Sequence, residues 1–156
     1  MISMFLAVLR GFLYAFRGIV CTLREERNFR IHLVAVFFVT WFAFLYEVTA
    51  GQALVLLLCC SAVLSLELLN TAVENAVDLS TAEICPLAKK AKDAAAGAVL
   101  VSAVGSVIAA VIMFRDPLHW SFLWEKIISP VRMVCFVLFA VLALFFIKGH
   151  NKPEND

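Results

Sequence analysis

Residues 67–78 read Glu-Leu-Leu-Asn-Thr-Ala-Val-Glu-Asn-Ala-Val-Asp and close an apolar run that begins near Gln52. At about 100° per residue, Glu67, Asn70, Thr71, Glu74 and Asp78 follow i, i+3, i+4 spacing and fall on one narrow face of a helix. Three carboxylates and an amide therefore point the same way. An ionised side chain in hydrocarbon costs roughly 2.5–3.5 kcal/mol even on the lenient insertion scale, so such a row at the end of a membrane helix asks for a cation, a partner or a substrate. Asp78, the outermost, is explained as well by a solvated stripe where the helix leaves the bilayer. Glu67, flanked by Leu66, Leu68 and Leu69, is not.

Carboxylates at this spacing, with Lys89, Lys90 and Lys92 following shortly, are the parts of a site for a metal-bound phosphate. Magnesium prefers oxygen ligands, commonly one or two carboxylates plus substrate phosphates. Lysine neutralises the phosphate charge that a carboxylate row would repel. No Gly-x-x-x-x-Gly-Lys-Ser/Thr occurs, so ATP would be handled by side chains on membrane helices and not by a P-loop.

The depth of the stripe narrows the reaction. Counting ~20 residues from Gln52 brings the inner bilayer boundary near Thr71, with Glu67 just inside it and Glu74 and Asp78 just outside. A lipid alcohol presents its hydroxyl at that level while ATP stays in water. A carboxylate inside the boundary could take the hydroxyl proton, and those outside could hold the metal of the nucleotide. The alternative is a proton or ion relay subunit of a membrane transporter, which uses the same residue types. A degenerate membrane scaffold is a third reading.

These groups must be positioned by membrane helices. Of 156 residues 63% are hydrophobic and 16% charged, a mixture that leaves too little polar surface for a soluble domain of this size. The expected fold is all-α, a polytopic membrane helical bundle. It has an amphipathic surface helix at 4–23, three transmembrane helices at about 31–48, 52–78 and 94–114, and a fourth C-terminal span at about 130–147. The surface helix follows from Phe5, Leu9, Phe12, Phe16, Ile19 and Leu23 on one side and Arg10, Arg17 and Arg24 on another. In the third span Ala94, Ala98, Ser102, Ser106 and Ala110 repeat every four residues, a seam that lets helix backbones approach closely within or between subunits. Residues 115–129, with Trp120, Phe122 and Trp124, read as an external interfacial segment, and those from Lys148 on as a cytoplasmic tail.

Orientation follows from charge. Arg10, Arg17, Arg24, Arg27 and Arg30 precede the first span, the three lysines lie in the 79–92 loop, and Lys148 and Lys152 are in the tail. Arg115, Lys126 and Arg132 flank the external segment, and the 47–51 turn has no basic residue. The positive-inside rule places both ends and the 79–92 loop in the cytoplasm, so the carboxylate face opens toward cytosolic nucleotides. Cys21, Cys59, Cys60, Cys85 and Cys135 show no paired metal spacing and read as small apolar fillers or free thiols. His32, at the boundary of the first span, reads as an interfacial hydrogen-bonding residue.

Glu67-Leu-Leu-Asn70-Thr-Ala-Val-Glu74-x-x-Val-Asp78, followed by Glu83-x-x-Pro86-Leu-Ala-Lys89-x-Ala-Lys92-Asp93-x-Ala-Ala-Gly97, closely resembles the signature of the prokaryotic diacylglycerol kinase family. That family includes the undecaprenol kinases of Gram-positive bacteria. Tyr14-Ala-Phe-Arg17-Gly18 and Glu26-Arg27-Asn28-Phe29-Arg30-Ile31-His32 resemble its amino-terminal motifs, and the likeness runs from about 12 to 114.

The resemblance implies a lipid kinase domain over 1–114, in a bacterial inner membrane with its active site toward the cytoplasm. It implies a homotrimer with active sites shared between subunits, ATP as co-substrate and Mg2+ as cofactor. Glu67 is then the general base, and Asn70 positions the reacting groups; these two meet the lipid substrate. Glu26 and Glu74 hold the divalent ion, and Tyr14, Glu26, Glu74, Glu83, Lys92 and Asp93 are at the nucleotide. The Arg27-Asn28-x-Arg30-Ile31-His32 stretch and the Pro86-Leu-Ala-Lys89 segment look more like the undecaprenol-kinase branch, which favours a polyprenol over diacylglycerol. Cys85 stands where the family commonly has histidine, and residues 115–156 lie outside the three-span core.

Overall fold

Short polar interruptions in an apolar sequence set every helix boundary. The computed structural model describes residues 2–80 and 85–148, which form six helices and no strand. They are α1 (Ile2–Glu25), α2 (Arg27–Tyr46), α3 (Ala50–Ser80), α4 (Pro86–Met113), α5 (Pro117–Ile127) and α6 (Pro130–Lys148). A single residue, Glu26, separates α1 from α2; its extended backbone (φ −101°, ψ 117°) stops one helix and starts the next. At the other end of α2, Glu47 adopts the left-handed conformation (φ 57°) and its N–H donates to the carbonyls of Ala43 and Phe44.

α3 opens with a reciprocal cap. The Thr49 N–H donates to Gln52 Oε1 at 2.8 Å and the Gln52 N–H to Thr49 Oγ1 at 3.4 Å, the pairing of a capping box. From there it runs 31 residues, ~46 Å at 1.5 Å per residue, and its last turns extend beyond a hydrocarbon core of ~30 Å. Helix α4 begins at Pro86, where the missing N–H and fixed φ suit the first helical position. Lys89, Lys90, Lys92 and Asp93 therefore stand on its first two turns, whereas the 79–92 stretch reads from sequence as a loop. Alanine and lysine are strong helix formers, and charge in the sequence marks the depth of the membrane, not the end of a helix.

Helix α4 packs most extensively against α3. Its Ser102, Ser106 and Ala110 are half-buried while Val101, Val104 and Val107 are exposed, so the far half of the small-residue seam serves packing within the chain, and Ala94 and Ala98 at its near end are exposed. The 115–129 segment is not irregular: α5 folds back, with Trp120 Nε1 donating to the Phe114 carbonyl at 2.7 Å and its ring 5.7 Å from Phe42. Lys126 on α5 pairs with Glu47 at the α2–α3 turn. Helix α6 lies along α2 through an aromatic cluster, Phe139 stacking on Phe37 at 4.1 Å and Phe136 standing 5.6 Å from Phe38 and from Trp41.

Five of these helices are long and apolar enough to cross a membrane: α2, α3, α4, α6 and the Phe5–Glu25 part of α1. Leu57, Leu58, Val101 and Phe145 are each more than 60% exposed, a surface that would aggregate in water and suits hydrocarbon. The chain is a multi-pass membrane protein.

Candidate active site

The interior holds few polar residues, and they gather in one region. Thr22 at the end of α1, Arg30 at the start of α2, and Glu67, Asn70 and Thr71 on α3 are all buried, Arg30 and Glu67 at 3% exposure. Helices α1, α2 and α3 each contact the other two. The Glu26 N–H donates to the Thr22 carbonyl at 2.8 Å and the Arg30 N–H to the Glu26 carbonyl at 3.4 Å, fixing the α1–α2 corner that carries the Glu26 carboxylate.

On α3 the stripe is ordered by its own bonds. Thr71 Oγ1 donates to the Glu67 carbonyl at 3.1 Å. Asn70 Nδ2 donates to Glu74 Oε1 at 2.9 Å, which holds the carboxylate two turns beyond Glu67. Asn70 Oδ1 is buried and accepts no hydrogen bond among the described residues. An orphaned buried acceptor costs about 1–3 kcal/mol, so the site has room for a donor from beyond the described residues of this chain.

His32 on α2 lies with Nε2 3.9 Å from Glu67 Oε2. Helix α2 thus faces the buried acid of the α3 stripe with an imidazole. Lys92 on α4 pairs with Asp78, one turn past Glu74 on the stripe, at 36% and 66% side-chain exposure. Among the described residues no three His, Cys, Asp or Glu side chains close a metal site on their own. The two carboxylates expected to hold the ion, Glu26 and Glu74, nevertheless have the chemistry that magnesium prefers, oxygen donors that leave its other positions to water and phosphate.

The residues expected from sequence are thus placed unequally. Glu67, Asn70 and Glu74 share the α3 face, Glu26 stands at the α1–α2 corner of helices packed against it, and Lys92 joins the outer end of the stripe through Asp78. Asp93 is exposed on the first turns of α4. Tyr14 is 64% exposed on α1, ~18 Å from Glu26 by helical rise. Glu83 lies outside the described residues. Sequence reasoning takes His32 as an interfacial hydrogen-bonding residue and leaves it out of the site, yet a signal for its place existed. His32 and Glu67 stand ~21 Å and ~25 Å from the turn that joins α2 to α3, so two antiparallel helices bring them to one level.

At the mouth of the site Cys85 precedes α4. It closes no capping hydrogen bond, but the amides of Ala88 and Leu87 in the first turn pull its thiol below the ordinary value.

Residues 13–114 match the sequence profile described as prokaryotic diacylglycerol kinase. The undecaprenol kinase of Bacillus subtilis is 48% identical over 109 residues, 70% of this chain and 89% of that protein. A diacylglycerol kinase of Synechocystis is 42% identical over 112 residues, 71% of this chain and 64% of that protein. A Helicobacter pylori diacylglycerol kinase is 31% identical over 123 residues, 78% and 84% of the two chains.

Proposed function

This chain belongs to the prokaryotic diacylglycerol kinase family, and we propose that it moves the γ-phosphoryl group of ATP to a membrane lipid hydroxyl, undecaprenol before diacylglycerol. Lipid kinase is what the family and the named relatives have in common, and it removes the transporter relay. The preference for undecaprenol rests on the Bacillus subtilis relative, the most identical of the three above. The observation that carries the site assignment is Glu67, buried at 3% exposure on the stripe of Asn70 and Glu74 with His32 Nε2 3.9 Å away.

In this reading Glu67 accepts the lipid hydroxyl proton. The orphaned Oδ1 of Asn70 accepts from the incoming hydroxyl or from water held at the site, while its Nδ2 keeps Glu74 in place. Glu26 and Glu74 would hold Mg2+, which would neutralise the charge that develops on the transferred phosphate. Lys92 supplies positive charge at the outer end of the stripe, with Tyr14, Glu83 and Asp93 as further nucleotide contacts. The distance of Tyr14 from Glu26 within one chain favours a site shared between subunits of a homotrimer. Residues 1–114 form the kinase domain, α1 lies in the cytoplasmic surface of a bacterial inner membrane with its arginine ridge toward the headgroups, and 115–156 are an addition.

The test is transfer from labelled ATP with magnesium to undecaprenol and to diacylglycerol, presented separately to the purified protein in micelles. Labelled polyprenyl phosphate is expected, with less product from diacylglycerol. Folded protein that labels neither lipid overturns the reading. Glu67→Gln keeps size and hydrogen bonding but removes the base, and is expected to lower turnover by about a hundredfold or more while nucleotide binding persists.

A further inference from the structure

A base buried this deeply must be emptied once per turnover. When the lipid hydroxyl oxygen bonds to the γ-phosphorus, the bond to the β–γ bridging oxygen breaks and ADP leaves with that electron pair. The hydroxyl proton stays behind on Glu67. The Glu67 side chain is 4% exposed, so water reaches it poorly.

The charged groups around it decide where the proton can go. Glu26 and Glu74 are committed to the metal in the proposed reading and are poor proton acceptors there. Arg30, buried two residues before His32 on α2, is permanently protonated. Asn70 does not titrate. His32 remains, with Nε2 3.9 Å from Glu67 Oε2 and its side chain 24% exposed. It lies within 4 Å of the buried carboxyl and is itself partly exposed.

We infer that His32 is a proton-relay residue, taking the substrate proton from Glu67 at Nε2 and releasing it to cytosolic water. The inference rests on Glu67 being the general base. A separation of 3.9 Å exceeds a hydrogen bond by about 1 Å, and catalytic contacts in ligand-free sites are often long and tighten when substrate is bound. Imidazole accepts and releases protons near neutral pH without holding either form strongly, as a relay requires. The balance is complete: a lipid alcohol and ATP become a lipid phosphate, ADP and one proton in solution. Helix α2 thereby contributes to chemistry as well as to packing.

The experiment compares wild type, Glu67→Gln, His32→Gln and His32→Ala as full chains in micelles, with initial rates of lipid phosphorylation over a pH series and with added imidazole. Glutamine retains an N–H donor, so a merely structural histidine would tolerate it. The relay predicts that His32→Gln loses about tenfold or more in kcat with KM for ATP moved less than about twofold, and that its pH–rate profile loses the limb that His32 contributes. It further predicts that imidazole raises the rate of His32→Ala in proportion to its concentration and leaves wild type unchanged. Wild-type turnover in His32→Gln, with Glu67→Gln inactive, overturns the relay and leaves the base intact. Wild-type turnover in Glu67→Gln overturns both. Should His32→Ala fail to fold, His32→Gln and its pH profile decide alone.

Discussion

In the ligand-free protein Lys92, the cation proposed for the nucleotide phosphates, is already engaged by Asp78. Asp78 shares the α3 face of Glu67 and Glu74 but has no part in the proposed chemistry, so Asp78→Asn isolates the pair. With the lysine 36% and the aspartate 66% exposed, the pair lies largely in water. Exposed pairs contribute ~0.2–1 kcal/mol, which is ~1.4–5-fold in an equilibrium constant. ATP must draw Lys92 off Asp78 or share it, and the Asp78 carboxylate itself repels the phosphates. Both effects have one sign: Asp78→Asn tightens ATP binding.

The assay is titration of a non-hydrolysable ATP analogue with magnesium into wild type, Asp78→Asn, Lys92→Met and the double variant, at ~0.15 M salt so that charges beyond ~8 Å are screened. Affinity should rise ~1.4–5-fold in Asp78→Asn, with a smaller gain from the same change in the Lys92→Met background. Weaker binding in Asp78→Asn would mean that the carboxylate orients Lys92 for the phosphate and does not compete for it. An equal effect in both backgrounds would show that the pair has no bearing on the nucleotide. Either result refutes the competition argument.

Two further outcomes follow from the structure. The Ala88 and Leu87 amides hold the Cys85 thiol below its ordinary value, so at a given pH near neutrality more of it is thiolate in the folded chain than in the unfolded one; its alkylation profile should shift to higher pH in denaturant, and a profile that stays put or shifts down removes the helix-terminus effect. Phe139 meets Phe37 at 4.1 Å, Phe38 at 5.1 Å and Trp41 at 6.4 Å, and at ~0.5–1.5 kcal/mol per aromatic pair Phe139→Ala should weaken the docking of α6 by ~1.5–4.5 kcal/mol. Faster amide hydrogen exchange in α6, with kinase turnover within about twofold of wild type, is the expected result; unchanged exchange would show that other contacts hold the helix.

The spanning helices were legible because each is a long apolar run bounded by residues with a local conformational reason to stop or start: Glu26, Glu47, Thr49 with Gln52, Pro86 and Pro130. The stripe was legible for the same kind of reason, since i, i+3, i+4 spacing lies within one helix. Where sequence reading fell short, charge had been read as loop. The lysines of 89–92 are helical, and the 115–129 segment contains α5, which is tied back by Trp120 and Lys126. Polar residues at a membrane boundary are free to stay helical, because water satisfies their side chains while the backbone ladder continues.

The pairings between helices were not legible in this way. That Lys92 meets Asp78 and His32 meets Glu67 depends on how far each helix runs and how it is rotated about its axis, which no periodicity within a single helix encodes. The depth of a residue along its span is encoded, however, and it carries more than was taken from it. Two antiparallel spans joined by a short turn bring residues at matching distances from that turn to one level. A carboxylate buried at that level needs a partner, so the facing helix can be searched for one side chain able to pair with it. On α2 that search ends at His32, where an arrangement read as packing becomes a route for a proton.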